Sequence, residues 1–238
     1  GTIKGEAMIK ASGKCLTAFV LLLSSASFAA DTIKLGLIEP LSGPFAFQGN
    51  SGVHMFQMLI EELNARGGVL GGSKLELVAF DNKGSPQESL IALKQVVDQG
   101  IRFIVQAAGS HNAHAISEAV TKHNARDPER SILYLNYGSV DTALTNEKCS
   151  FWHFRFDSNV DMKLAAMTTY MVSQKNVRSV YLINQDYAYG QTVSRVSKEM
   201  LARKRPDVAI VGDELHPIGK VKDFAPYINK SIATKADF

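Results

Sequence analysis

Cysteine is nearly absent from this chain: Cys15 and Cys149 are the only two among 238 residues. That excludes a disulfide-stapled scaffold and leaves too few thiols for a zinc ribbon. Nucleotide-binding glycine loops are missing too. Gly43, Gly49 and Gly52 have the wrong spacing for Gly-x-Gly-x-x-Gly, and neither a Walker A loop nor a Gly-x-Ser-x-Gly elbow occurs. No basic stripe interleaved with aromatics is present, which argues against nucleic acid as a partner. The net charge of +3 does not change this, because Lys4, Lys10, Lys14 and Glu6 lie in a segment expected to be removed, leaving +1 on the rest. Long apolar runs are absent beyond Ala30. With 45% hydrophobic and 21% charged residues, the composition is that of a globular protein able to bury a core.

What is present begins at the N-terminus. Residues 1–7, GTIKGEA, precede Met8 and read as upstream residues outside the fold. Met8 to Lys14 is a short basic region, Cys15 to Ala30 carries no charge, and Ser27-Phe28-Ala29 offers the small residues that a signal peptidase reads. We therefore expect residues 1–29 to be a signal peptide with its upstream residues, cleaved after Ala29. The apolar run falls short of the roughly 20 residues that a membrane span needs. The mature chain is expected to be exported and soluble. Its single remaining thiol, Cys149, is expected to be buried and inert, as free cysteines commonly are.

Strand-like and helical patterns alternate along the mature chain. Thr32–Glu39, Leu75–Phe80, Arg102–Ala107, Ile132–Asn136 and Phe151–Phe156 read as strands. Ser51–Arg66 reads as a helix with Phe56, Leu59, Ile60 and Leu63 at helical spacing, ended by Gly67-Gly68. A second helix opens with Ser85-Pro86-Gln87-Glu88, a capping box with proline at the first position, and points Leu90, Leu93, Val96 and Val97 inward. Asn112–Lys122 is a third. After a break at Tyr137–Cys149 the pattern resumes: helix Val160–Ser173, strand Ser179–Asn184, helix Gln191–Arg203, strand Asp207–Gly212 and helix Asp223–Lys235. Buried strands alternating with amphipathic helices imply parallel α/β sheets. The expected organisation is an α/β unit over 30–156 and a second over 157–238, joined near Phe156–Ser158, both incomplete. Ala236-Asp237-Phe238 reads as the start of a further strand, so the chain reads as a C-terminally truncated fragment.

Few residues suggest catalysis. His111 and His114, with Glu118, could share a helix face, but two histidines three apart are too few for a zinc site, and the cleft edge or solvent is the simpler place for them. Ser110 beside His111 is no triad, since sequence neighbours rarely present that geometry. No cofactor site is expected. The informative positions are the C-terminal ends of the strands, where open parallel sheets bind ligands. Leu41–Gly49, Gly109–Asn112, Tyr137–Val140 and Gln185–Gly190 all follow strands. Ser110 opens a helix whose free N–H groups suit a carboxylate, although a serine there also serves as a plain cap. In Phe151-Trp152-His153-Phe154, alternation places Trp152 and Phe154 in a core.

The runs PLSGPFAFQGN (40–50), LNARGGVLGGSKLELVAFDNKGSPQESLIALKQVV (63–97) and NQDYAYGQ (184–191) resemble the type I periplasmic solute-binding proteins of ABC importers, the leucine/isoleucine/valine-binding kind. KVKDFAPYINK (220–230) is similar to a segment of their second domain, so the resemblance spans nearly the whole mature chain. It implies two doubly wound α/β domains joined by a hinge, a periplasmic location, an inner-membrane ABC permease as partner, and capture of a small-molecule carboxylate without catalysis. A monomer is expected. By the same resemblance Ser110 takes the ligand carboxylate, backbone groups at Gly138 and Val140 hold its carboxylate or amino group, Tyr189 closes from the second domain, and Phe47 and Gln48 set specificity. The family's acidic partner for an amino-acid ammonium would lie beyond Phe238. The ligand is expected to be a branched-chain or other hydrophobic amino acid. The stretches LNYG (135–138) and KCSFWHFRFD (148–157) resemble a subgroup for aromatic carboxylates, the alternative ligand class. A sensor domain of the same fold is a second alternative. An amidase-like enzyme is a third, lacking any defensible nucleophile–base pair.

Overall fold

A computed structural model describes residues 31–238. The expected signal peptide and its cleavage after Ala29 lie outside the described residues.

Five parallel strands form the first sheet: β1 Ile33–Glu39, β2 Leu75–Asp81, β3 Phe103–Gln106, β4 Leu133–Asn136 and β5 His153–Arg155, in the order β2-β1-β3-β4-β5. The helices α1 Ala46–Ala65, α2 Pro86–Asp98 and α3 Ser110–Arg126 connect β1 through β4. The order reverses between β1 and β3, which is the topological switch point where a crevice opens at the strand ends. Leu37, Ile38 and Ile104 carry the strands' buried side, with Val96 and Ile116 from the helices. The second unit contains α4 Val160–Ser173, β6 Ser179–Gln185, α5 Ala188–Lys204, β7 Ala209–His216 and α6 Ala225–Thr234, with β6 and β7 paired in parallel. The two units are doubly wound α/β folds, as expected. Among the described residues no helix is long and apolar enough to cross a membrane.

Several boundaries differ from the periodicity reading. α1 starts at Ala46, five residues early, because the amide of Ala46 already donates to Gly43 O (3.1 Å) and Asn50 Nδ2 bonds Ala46 O (2.8 Å), closing the first turn. Its far end follows the glycine expectation: Gly67 N–H donates to Asn64 O and Gly68 N–H to Leu63 O, a Schellman closure at positive φ. α2 keeps Pro86 in its first turn, but the capping box does not form. Ser85 Oγ turns to Gln87 Oε1 (3.0 Å) and Glu88 pairs with Lys83 (3.3 Å). Leu90, expected inward, is 42% exposed, and Ser89 and Ala92 take the buried face instead.

The ring-rich stretch also departs from alternation. β5 begins only at His153, so Trp152 lies in the turn before it and the two-residue period does not reach it. Trp152 packs on the first core as expected, whereas Phe154 is exposed and His153 is the strand's buried member, its ring against Tyr134. Cys149, expected buried, is exposed, because the turns following Thr145 lie on the surface. β7 runs on to His216, past the expected Gly212. Phe238 O accepts from Tyr181 N (2.9 Å) and Asp237 N donates to Ser179 O (3.1 Å), so the residues read as the start of a strand lie beside β6.

α6 buries no residue, and Ile228 and Ile232 on it are exposed. A helix held by so little packing opens locally at low cost. Its amides are expected to exchange at least tenfold faster than those of α3, which buries Ala113, Ile116 and Val120. Hydrogen exchange read by mass spectrometry checks this, and equal protection of the two helices would contradict it.

Candidate functional site

Two glycines of the same design bring helix ends down onto strand ends. A Cβ on Gly49, in the first turn of α1, would stand 2.1 Å from Pro40 O. One on Gly190, in the first turn of α5, would stand 1.8 Å from Gln185 O. No side chain fits either place. Each unit therefore presents the opening turn of a helix at the mouth of its sheet, α1 with Phe47 and Gln48, α5 with Tyr189.

Between these mouths lies a cleft of about 610 Å³. All six positions expected from the sequence line it: Phe47, Gln48, Ser110, Gly138, Val140 and Tyr189. Phe47 is a rim residue, 84% exposed. Ser110 is buried and is not a cap, because Gly109 at φ 86° occupies the cap position and Ser110 is the first helical residue. Its Oγ accepts from Asp141 N (3.3 Å). Gly138 brings the β4 loop against the β3 loop, since a Cβ there would meet the Ala107 Cβ at 2.9 Å. The Gly138 N–H donates to Asn136 Oδ1 (3.1 Å) and the Val140 carbonyl accepts from Val160 N (3.0 Å), so both backbones already have partners. The Val140 side chain joins Val160, Leu164, Val196 and Met200 in a cluster, packing the first unit onto the second.

Loop placement depends on carboxylates that the periodicity did not single out. Asp81, at the end of β2, accepts from Leu41 N (2.8 Å) and Ser42 Oγ (2.5 Å), fixing the opening loop. Burial alone would raise its carboxyl. Hydrogen bonds from Ser42, Lys83 and Leu41 outweigh that and hold it below the usual range. Glu39, at the end of β1 and fully buried, accepts from Ala107 N (2.5 Å), Ala108 N (3.1 Å to Oε2) and Tyr137 Oη (2.6 Å). Burial pushes it up to about 6, against the pull of those three bonds. Tyr137 is raised well beyond the ordinary phenol range by burial and the neighbouring Glu39, and its ring stands edge-on to Phe56 (5.1 Å). In the sequence Glu39 shows as a charged residue ending an apolar strand, directly before Pro40, but its partners do not show.

The second unit contributes Lys163 from α4, Gln185, Tyr187 and Tyr189. Lys163 pairs with Asp157 (2.7 Å). Tyr187 meets His111 edge-on across the cleft (5.2 Å), and burial, then Tyr189, pushes its phenol up to about 12. The histidines have structural partners. His111 Nε2 lies 3.0 Å from Gly84 O and His114 Nε2 2.5 Å from Asp141 Oδ2. Among the described residues, no group of three or more His, Cys, Asp or Glu is placed to hold a metal.

Comparison with known proteins agrees with this geometry. The family described as "Periplasmic binding protein" matches residues 32–238. A "Leu/Ile/Val-binding protein homolog 4" of Brucella abortus is 32% identical over 217 residues, covering 91% of this chain and 51% of that protein. The crystal structure of a leucine-, isoleucine-, valine-, threonine- and alanine-binding protein from Brucella ovis, in a closed conformation, superposes with a TM-score of 0.74 at 31% identity, covering 87% of this chain and 53% of that one. A Rhodopseudomonas palustris solute-binding protein solved with 3,4-dihydroxybenzoic acid shares the fold (TM-score 0.72, 20% identity, 87% of this chain and 53% of that one). The chain thus spans about half the length of these relatives. On its matching profile, its two α/β units and the cleft between them, this chain belongs to the type I periplasmic binding proteins, in their leucine/isoleucine/valine-binding branch.

Proposed function

We propose that this chain is the solute-capturing part of an exported binding protein that serves an ABC importer. The observation that carries the reading is the cleft, lined from both units, with Ser110 and the first turn of α3 on one wall and Tyr189 on the other. A carboxylate suits that wall, since helix N-termini present free N–H groups and a positive dipole end. Closure of the two units about the junction near Phe156–Ser158 then excludes water. Hydrolysis has no support in the geometry: the Ser110 hydroxyl accepts from a backbone amide, and both nearby histidines turn to other partners.

The solute is a hydrophobic amino acid, in line with the names of the Brucella relatives. An aromatic carboxylate is the second reading, favoured by the rings of Phe47, Tyr137, Tyr187 and Tyr189 around the cleft. The test is the melting temperature of the complete mature protein with leucine, isoleucine, valine, phenylalanine, benzoate and 4-hydroxybenzoate. A solute at 100 times its dissociation constant stabilises by about 2.7 kcal/mol. A shift with aliphatic amino acids supports the first reading and a shift with aromatic acids alone supports the second. No shift with any of the six would overturn both.

A further inference from the structure

At the switch point of the first sheet, three loops face the cleft, and one carboxylate touches or precedes all of them. Glu39 ends β1 and leads directly into the loop that delivers the first turn of α1, with Phe47 and Gln48. It binds the amides of Ala107 and Ala108, which lead into Ser110, and the hydroxyl of Tyr137, which opens the Tyr137–Val140 loop. Tyr137 Oη in turn lies against α1, 2.4 Å from where a Cβ on Gly52 would stand. We propose that Glu39 is a positioning residue that locks the three solute-facing loops of the first unit into one surface, so that solute affinity depends on its being ionised. This rests on the solute-binding reading above.

Three donors converge on the side chain: two backbone N–H groups and one phenol. An ionised carboxylate satisfies all three, since it only accepts. A protonated one places a hydrogen among those donors: Tyr137 Oη must turn to accept it, and the amides of Ala107 and Ala108 lose a charged acceptor and hold more weakly. The surroundings leave no other group to compensate. Asp81 stands in register on β2, Tyr134 and Tyr137 are on and after β4, α1 presents Ser51 and Gly52, α3 presents Ser110 and His111, and Lys163 stands on the opposite wall, paired with Asp157. None is a cation in contact with Glu39, and burial is what raises its carboxyl to about 6. Protonation therefore falls within a pH range the protein can meet. It loosens Ala107–Ala108 just ahead of Ser110.

The test uses the complete mature protein, with L-leucine and 4-hydroxybenzoate as probes, both of which keep their charge between pH 5.5 and 7.5. The amide nitrogen and proton shifts of Ala107 and Ala108 are expected to titrate together near pH 6 without any solute. Calorimetric affinity for whichever probe binds is expected to be flat above pH 7 and to fall below pH 6, by at most about tenfold per pH unit, the limit for one linked proton. Glu39→Gln keeps the shape but sets an NH2 against the Ala108 amide. It is expected to bind about tenfold more weakly at pH 7.5, with no pH dependence left. Tyr137→Phe removes one donor and leaves the carboxylate, so it is expected to lose less affinity and to keep a pH-dependent profile whose midpoint moves upward, because the Tyr137 bond pulls the Glu39 carboxyl down. If Glu39→Gln does not fold, the wild-type and Tyr137→Phe profiles decide. Ala107 and Ala108 amides that do not move with pH, or a Glu39→Gln protein with wild-type affinity and profile, would overturn the proposal. Should neither probe bind wild type, the solute reading fails for those two classes, while the amide titration still decides what Glu39 holds.

Discussion

Gly190→Ala is expected to destabilise the protein by about 3 kcal/mol, with a melting temperature lower by roughly 6–12 °C for a chain of this size. The added Cβ would stand 1.8 Å from Gln185 O and 2.7 Å from Gln185 C, both backbone atoms. A clash with a side chain is relieved by a rotamer change. A clash between the opening turn of α5 and the end of β6 is relieved only by lifting the helix off the sheet. That lift breaks the seating of Val196 and Leu201 in the second unit's packing. It also carries Tyr187 and Tyr189 away from the cleft, so solute affinity falls even in molecules that remain folded. Gly100→Ala is the control. Gly100 has positive φ (68°) but open space around its missing Cβ, so only the conformational cost remains, about 1 kcal/mol. Denaturant unfolding of the two variants checks the ranking, and equal losses would show that α5 does not depend on the close approach.

The same glycines show how much of the fold was legible. Gly190 sits in NQDYAYGQ and Gly49 in PLSGPFAFQGN, and both stretches read as cleft loops because each follows a strand end. What sequence could not show is that the two residues do one job in two units, because the clash partner is a carbonyl several residues back in the chain. Strand–helix alternation was readable because the buried runs are apolar and the helices have a regular stripe. Leu90 and Phe154 were misplaced for a shared reason. Periodicity assigns a face but not what covers it, and short elements such as β5 do not carry a period far enough. Cys149 was misjudged from the habit of its residue type, which the surface turn after Thr145 overrides. The six site positions came from the family resemblance and lie at the cleft because the strand ends they follow open there, whereas Glu39, Asp81 and Asp141 hold partners up to 98 residues away in sequence, beyond any local pattern.

Asp141 is where those distant contacts join the two units, and Asp141→Ala is expected to cost about 3 kcal/mol at neutral pH. Its Oδ2 lies 2.5 Å from His114 Nε2 on α3, and its Oδ1 accepts from Thr192 Oγ1 (2.8 Å) on α5, in the other unit. Its backbone N–H donates to Ser110 Oγ and its carbonyl accepts from Arg155 Nη1 (3.0 Å). Only 4% of the residue is exposed, so truncation leaves His114 and Thr192 without a partner where water does not readily replace it. Burial alone would raise the carboxyl, but hydrogen bonds from His114 and Thr192 outweigh it and hold it below the usual aspartate value of 3.8. A depressed folded value means that stability is present above the unfolded value and is lost as pH falls through the folded one. The wild-type and Asp141→Ala stability curves should therefore lie apart at pH 7 and converge in acid, below about pH 3.8. Thr192→Val removes only the bond between units, so it is expected to cost about 1 kcal/mol, and combining it with Asp141→Ala should cost less than the two separately, because they share that bond. Additive losses would mean that Thr192 and Asp141 act independently. A wild-type melting temperature for Asp141→Ala at pH 7 would mean that the two units are held together by the Val140–Val160–Val196 packing alone.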